Sequence, residues 1–415
     1  MLKILILAET IDPANSSAGK ANHSFIVFLS KNFDVKAYHF SQKEISIPNV
    51  ETILIKEKKT DIYYFFSRAQ RVFQRISGIN ISKSLENRFG FSFTFKNDAN
   101  SMADALKNEN PAAYNLIITL SKGASYRTHA TLLKLPQWHH KWLAYIHDPY
   151  PFHWYPPPYE WTEAGHKQKE KFFLMVAQKA KWLGYPSQLL AEWMAQFNPL
   201  FLDKAVILPH QMPTHEQIEN QTLPDFFERK KFTVLHAGNL LKQRNPFPLI
   251  KAWKMFREEI PEARDNSQLL LIGPSTYHQP KLSKVCGADP SIYLSDGNMP
   301  HHVVLAMEQA ASANIILEAA SETSPFLPAK FPSLVKANRP IIHLGPKNSE
   351  SRRLLGQAYE MAATADDVDA IKKMLSKCYL NWKLEITQLD RKDLENYFSS
   401  HFLKKQMDYI CEKTE

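Results

Sequence analysis

Four polar loops, each following a short apolar run, collect the residues of this chain that could act on an anionic or hydroxylated ligand. In TVLHAGNLLKQRNPFPLIKAW (233–253), Gly238 ends the apolar run without a side chain, so a ligand can come close to the backbone. Lys242 and Arg244 follow, and Asn245-Pro246 suits a helix start, with asparagine as cap and proline at the first position. An arginine there can set two N–H donors on a diphosphate, beside the positive end of the helix. The competing reading is a solvated basic turn, and Lys242 fits it.

The second loop is ILEAASETSPFLPAKFPSLVKANRPIIHLG (316–345). Pro325, Pro328 and Pro332 bracket Lys330, which could hold a second phosphate oxygen, while Glu318, Glu322 and Ser324 could meet hydroxyls or amides. The third is AYIHDPYPFHWYPPPYEW (144–161), where His147 and Asp148 close an apolar run and could orient a sugar hydroxyl. Its prolines and aromatics either shape a pocket or simply stiffen a packed loop. The fourth is AETIDPANSSAGKANHSFIVFLSK (8–31), with Gly19 and Lys20 at a helix entry whose free N–H groups suit phosphate.

Several chemistries lack their signatures. The Gly19-Lys20 loop misses the first glycine and final Ser/Thr of a Walker loop, and it is not GxGxxG. His139, His140 and His153 make no metal set with His147, HExxH is absent, and the three cysteines (Cys286, Cys378, Cys411) show no metal spacing. The spaced acids of DDVD (366–369) open a late helix, where capping explains them. No metal and no cofactor is expected.

The elements that must position these loops are short apolar runs alternating with helical patterns, as buried parallel strands do. The first half offers KILILAE (3–9), VKAYHF (35–40), ETILIK (51–56), NLIITLS (115–121), KWLAYIHD (141–148) and KAKWLGYPSQ (179–188). The second offers FTVLHAG (232–238), SQLLLIGP (267–274), SIYLSD (291–296), ANIILEAA (313–320) and RPIIHLGP (339–346). Helical patterns such as 245–260 and 301–312 fall between them. This is an α/β chain with the alternation occurring twice, which predicts two doubly wound domains whose ligands bind beyond the carboxyl ends of the strands. A length of 415 residues agrees with two domains. The joint falls in the polar stretch 203–231, and the tail 390–415 has helical spacing of Leu394, Tyr397, Phe398, Phe402 and Tyr409.

Hydrophobic content of 44% and aromatic content of 12% support packed domains rather than disorder. A formal charge of +9 favours anionic partners. No apolar run reaches 18 residues, and Glu9 already interrupts the opening MLKILILAET before Asp12 follows, so a first strand is expected there in a cytoplasmic protein. Residues 63–96 mix aromatics with Arg68, Arg71, Arg75, Lys83, Arg88 and Lys96. Phe65, Phe66, Val72, Phe73 and Ile76 approximate one helical face, suited to peripheral contact with an anionic membrane on its inner side or, alternatively, to covering a core.

Taken in order, the four loops resemble a glycosyltransferase of the GT-B fold, most similar to the retaining, nucleotide-sugar-dependent group known as glycosyltransferase family four. The Gly19-Lys20 loop is similar to the family's glycine-containing first loop. KWLAYIHDPYP resembles its strand ending in Asp-Pro, TVLHAGNLLKQRNPFPLIKAW its Ala-Gly strand with Arg-x-Pro, and SPFLPAKFPSLVKANRPII its donor loop. The resemblance implies two Rossmann-like domains facing across a cleft, with a C-terminal helix crossing back to the first. The acceptor domain would be 1–205 with 392–415, and the donor domain 206–391. It implies a nucleotide sugar held by Gly238, Asn239, Arg244, Gly273, Glu318, Glu322, Ser324, Lys330 and Ser333, with Arg244 and Lys330 clamping the diphosphate. A glycan or lipid-linked acceptor would lie near Gly19, Lys20, His147 and Asp148, and catalysis would rest on Arg244, Lys330, His147 and Asp148.

Two departures matter. Asn239 follows the strand glycine where family members commonly carry arginine, and Ser333 stands where the donor loop typically has a ribose-binding glutamate. A serine offers one neutral oxygen where a carboxylate offers two charged ones. A catalytically silent sugar-nucleotide or glycan binder is therefore the alternative to a transferase in cell-surface polysaccharide synthesis. A nucleic-acid-binding role has no module to carry it, and none is expected.

Overall fold

The computed structural model describes residues 2–14, 16–159, 161–213 and 222–414, in two compact units. The first comprises Met1–Tyr155, Tyr159–Gln211 and Ser400–Glu415, and the second Pro156–Pro158 and Met212–Ser399.

The first unit is built on β1 (Lys3–Ala8), β2 (Asp34–His39), β3 (Glu51–Leu54), β4 (Leu116–Leu120), β5 (Trp142–Tyr145), β6 (Trp182–Tyr185) and β7 (Ala205–Ile207). They pair in the order β3-β2-β1-β4-β5-β6-β7, and the pairings are parallel. The expected runs all became strands, because strands covered on both faces must be apolar at nearly every position. β1 and β4 meet this completely, with Ile4, Leu5, Ile6, Leu7, Leu116, Ile117 and Ile118 at zero exposure. β7 was hidden: its three residues sit inside the polar stretch read as a joint, of which 214–221 lie outside the described residues.

The second unit holds β8 (Phe232–Ala237), β9 (Ser267–Ile272), β10 (Ile292–Leu294), β11 (Ala313–Leu317), β12 (Thr323–Ser324), β13 (Ile341–Leu344), β14 (Asn348–Ser349) and β15 (Ala362–Ala363). Its main sheet runs β10-β9-β8-β11-β13-β15, again parallel, and β12 pairs with β14 beside it. Strand order reverses at β8 and β11 here, and at β1 and β4 in the first sheet. Such switch points open a crevice at the carboxyl ends of the strands.

The tail is two helices rather than one. Lys392–Tyr397 belongs to the second unit, where Leu394 and Phe398 pack with Phe331, Leu334 and Leu354. Ser400–Glu412 belongs to the first, where Leu403, Met407, Ile410 and Cys411 pack with Ile4, Ile6, Leu116 and Leu143. The buried stripe of this last helix is aliphatic, and Tyr409 is half exposed.

Residues 62–105 form three helices, Ile62–Ser77, Ser82–Phe89 and Phe93–Ala105. Among the described residues, no helix is long and apolar enough to cross a membrane.

Candidate functional site

In the second unit the site begins where two glycines meet. The Gly238 N–H donates to Ile272 O at 2.8 Å, and Gly273 has φ +124°. A Cβ on Gly273 would stand 2.5 Å from the Gly238 carbonyl oxygen, so this position excludes any side chain. A Cβ on Gly238 would meet only ordinary contacts, His236 at 3.6 Å and the Lys330 Nζ at 3.8 Å. Gly238 thus leaves surface open over Lys330, while Gly273 is the glycine the backbone demands.

Arg244 follows in a turn closed by its own N–H to Leu241 O at 2.9 Å. Asn245 caps the next helix, Phe247–Glu259, by accepting from the Phe247 N–H at 3.1 Å. Among the described residues the half-buried Arg244 side chain makes one long contact, Nη1 to Asn239 O at 3.4 Å, so most of its donors remain for a ligand. Lys242 is exposed and lies over the Tyr277 ring, 5.6 Å from its centroid.

Lys330 is fixed more firmly. Its ammonium donates to Ile315 O at 2.7 Å and to His236 Nδ1 at 3.2 Å. Burial, with Lys330 and Arg244 nearby, holds His236 well below its ordinary value, so it is neutral and accepts from the lysine. Its Nε2 is buried and, among the described residues, finds no hydrogen-bond partner. Burial also lowers the Lys330 pKa, Arg244 adds to that, and Glu308 and Glu318 oppose it.

Glu308 is the main surprise. It is 2% exposed on the helix His301–Ala310 and lies beside both Lys330 and Ser333. Burial pushes its carboxyl up, against the pull of Ser333 and Lys330. The Ser333 hydroxyl donates to Lys330 O at 2.8 Å. A carboxylate therefore stands next to the position where the serine replaces one, supplied from another helix. The sequence signal was an acid on the buried face of HHVVLAMEQA, read only as part of a helical pattern.

Glu318, expected as a ligand contact, is engaged within the protein. Its Oε1 is 2.9 Å from His343 Nε2, Ser349 Oγ is 3.4 Å from the same nitrogen, and both members of the pair are buried. Burial pushes the Glu318 carboxyl up, but His343, Ser324 and Ser351 outweigh that and leave it low. Ser324 is thus brought to Glu318, whereas Glu322 is exposed on the loop. His236 and His343 went unnoticed in sequence because each sits inside an apolar strand. The DDVD acids prove to be a cap: Asp367 accepts from the Ala370 N–H at 3.0 Å.

In the first unit, His147 and Asp148 lie just past the end of β5. Burial pushes His147 down to about 3, with His210 and His129 adding to it, so it is neutral. Among the described residues its Nε2 finds no hydrogen-bond partner, and its ring packs 4.6 Å from that of Tyr145. Burial pushes the Asp148 carboxyl up to about 6, while its backbone carbonyl accepts from the Tyr126 hydroxyl at 2.5 Å. The aromatic loop beyond is mostly packed: Trp154 stacks on Phe197 at 4.4 Å and Tyr150 lies against Tyr126 and Phe173. Trp161 is its exposed member, stacked on Phe152 at 4.6 Å.

Gly19 and Lys20 have a more structural setting than expected. Ser16 caps the helix Ser17–Ser30 by accepting from the Gly19 N–H at 3.1 Å. A Cβ on Gly19 would fall 2.2 Å from the Asp12 carbonyl oxygen, so packing explains this glycine, and Lys20 is exposed. A neighbouring group was missed. Glu9, directly after β1, takes Arg127 Nη1 at 2.5 Å and the Lys122 N–H at 3.1 Å, and Arg127 Nε reaches Asp98 at 2.9 Å. It ties the switch point at β1 and β4 together with buried charge.

No family model matches the chain, and no curated protein matches it in sequence. Solved structures do match in fold. A glycosyltransferase from Rickettsia africae ESF-5 aligns at TM-score 0.65 and 10% identity over 100% of this chain and 98% of that one. A UDP-forming alpha,alpha-trehalose-phosphate synthase from Burkholderia xenovorans aligns at 0.66 and 11%, over 100% and 99%. Anabaena HepE, in complex with UDP and glucose, aligns at 0.62 and 10% over the whole of both chains. Two parallel-sheet α/β units in this order are the GT-B architecture, and the likeness extends to the fold alone.

Proposed function

We propose that this chain is a glycosyltransferase that moves a sugar from a nucleoside-diphosphate sugar to a glycan or lipid-linked acceptor. The observation that carries the reading is the convergence of Arg244 and Lys330, from separate loops, on open backbone at Gly238. In the transfer, the bond between the anomeric carbon and the diphosphate oxygen breaks and the acceptor oxygen bonds to that carbon. The acceptor proton leaves toward the departing phosphate. Negative charge grows on the diphosphate, where fixed cations lower the barrier because they need no reorganisation. Arg244, with free donors, suits that oxygen, and Lys330 is oriented for it by Ile315 O and His236. This charge supports a metal-independent reaction.

The acceptor would be held in the first unit, where the neutral His147 Nε2 and the Asp148 carboxyl both suit a hydroxyl. Retention of configuration and a role in cell-surface polysaccharide synthesis in the cytoplasm follow from the family resemblance. The HepE complex supports UDP as the first nucleotide to try.

The test is a thermal-shift panel of UDP- and GDP-sugars, followed by donor consumption with candidate acceptors. A ligand-dependent rise in Tm is expected, since a ligand that binds the folded state stabilises it. No rise with any nucleotide would sink the proposal. Ser333 favours one second reading, a binder without turnover, which would show the rise and no consumption.

A further inference from the structure

The helix Ile62–Ser77 is amphipathic the wrong way round for a surface helix. Such a helix ordinarily turns its apolar stripe inward. Here the inward side is mostly polar or tyrosine-bearing: Ser67 is its one buried residue, Gln70 Nε2 donates to Ser82 Oγ at 2.8 Å, and Tyr63 stacks on Phe93, whose ring the edge residue Phe66 also meets at 5.3 Å. The outward side carries Ile62, Phe65, Phe66, Val72, Phe73 and Ile76, with Ile76 81% exposed. Eight of the seventeen exposed large apolar side chains among the described residues lie between 62 and 89, so this is a patch rather than scatter. Ile79 and Phe89 extend it past the helix end.

Charge identifies the occupant. The helix contains no acidic residue, and Arg68, Arg71 and Arg75 line one flank of the apolar stripe, all exposed. Lys83 and Arg88 add exposed cations on the next helix. Nearby acid is sparse and engaged: Asp61 caps the helix, Glu57 comes within 3.9 Å of Arg68, and Glu86 on the next helix pairs with Lys169 at 3.5 Å. A second copy docking symmetrically would bring each arginine row toward its own like. A nucleic acid would take the cations and leave the aliphatic ridge, Ile62, Val72 and Ile76, without use. A bilayer with anionic headgroups takes both, apolar side chains in the acyl boundary and arginines at the phosphates.

We infer that residues 62–89 dock this protein on an anionic lipid surface, with the helix Ile62–Ser77 lying in its plane. This inference is independent of the transferase reading, because it concerns a different surface.

Full-length protein is sedimented with phosphatidylcholine vesicles, and with vesicles of three parts phosphatidylcholine to one part phosphatidylglycerol, without nucleotide. Binding to the anionic vesicles, weakening with salt, is expected. Phe65→Ser with Ile76→Ser should abolish it. Arg68→Gln, Arg71→Gln and Arg75→Gln together should lower the partition on the order of a hundredfold. The substituted side chains are exposed, and unchanged thermal melts confirm that the variants fold. Failure to sediment, or equal binding to both vesicle types that ignores the variants, overturns the inference. So does a dimer in light scattering that Phe65→Ser with Ile76→Ser dissolves. Oligonucleotide binding that needs the arginines and not Phe65 or Ile76, without vesicle binding, overturns it as well.

Discussion

At the carboxyl ends of β8 and β11 the second unit sets buried cations and carboxyls against one another, whereas past β5 in the first unit burial is the leading influence on His147 and Asp148. Lys330 has its position set by a carbonyl and a histidine, Arg244 stands beside it, and Glu308 and Glu318 supply negative charge behind them. Burial, joined by His210 and His129, pushes His147 toward the neutral base, and burial raises the Asp148 carboxyl. On the proposed reading, the same strand-end geometry serves an anion in one unit and a hydroxyl in the other. What differs is which charges the neighbouring helices supply.

Lys330→Ala tests this most severely. It removes the proposed phosphate contact and also takes away the cation that opposes the rise of the buried Glu308 carboxyl. UDP-induced stabilisation should vanish and the Tm of the free protein should fall. In a double-mutant cycle with Glu308→Ala, part of the lost stability should return; strict additivity would mean that the two do not act on each other.

Arg244→Ala should be gentler and cleaner. Loss of a charge-assisted contact costs about 1.5–3 kcal/mol, so calorimetry should show UDP affinity reduced roughly ten- to a hundredfold. Its one long protein contact predicts an unchanged Tm for the free protein. Unaltered UDP affinity would remove it from the anion site.

The first unit answers to pH instead. A carboxyl pushed up to about 6 in the folded state binds its proton more tightly there than when unfolded. Ionising it therefore costs stability, a penalty absent below about pH 4 and complete above about pH 6. Asp148→Asn should raise Tm by a few degrees at pH 7.5 and leave it unchanged at pH 4. An equal change at both would show that burial of the charge is not what distinguishes this site.

Lys242→Ala sets the floor. Its ammonium is exposed over Tyr277, and both Tm and UDP affinity should stay within about 0.5 kcal/mol of the parent. A tenfold loss of UDP affinity would extend the anion site beyond Arg244 and Lys330.

The sheets were legible because parallel strands covered on both faces leave uninterrupted apolar runs, and ten-residue helical patterns between them are equally plain. β7 escaped because three residues make too short a run to stand out from a polar stretch. The cation pair was legible in part: Arg244 and Lys330 sit in loops with helix-start residues, which mark strand ends. Their supporting groups were not. His236, His343 and Glu308 lie within strands or a helix, where a polar residue has no local pattern to announce its partner. Glu318 was visible as an acid at a strand end, but its hydrogen bond to His343 depends on the pairing of β11 with β13. The helix Ile62–Ser77 shows the limit from the other side. Its periodicity reveals an apolar face, and only packing tells which way that face turns.

The helix Ser400–Glu412 has a consequence for how the chain is made. Leu403, Met407 and Ile410 complete a core whose other members, Ile4, Ile6 and Leu116, emerge from the ribosome several hundred residues earlier. Domains generally fold in order during synthesis, the N-terminal one first. Here the leading unit must wait, with one face of its sheet lacking part of its cover, until the helix Ser400–Glu412 has been translated. Termination just after Ser399 would release a chain whose second unit is whole while its first is not.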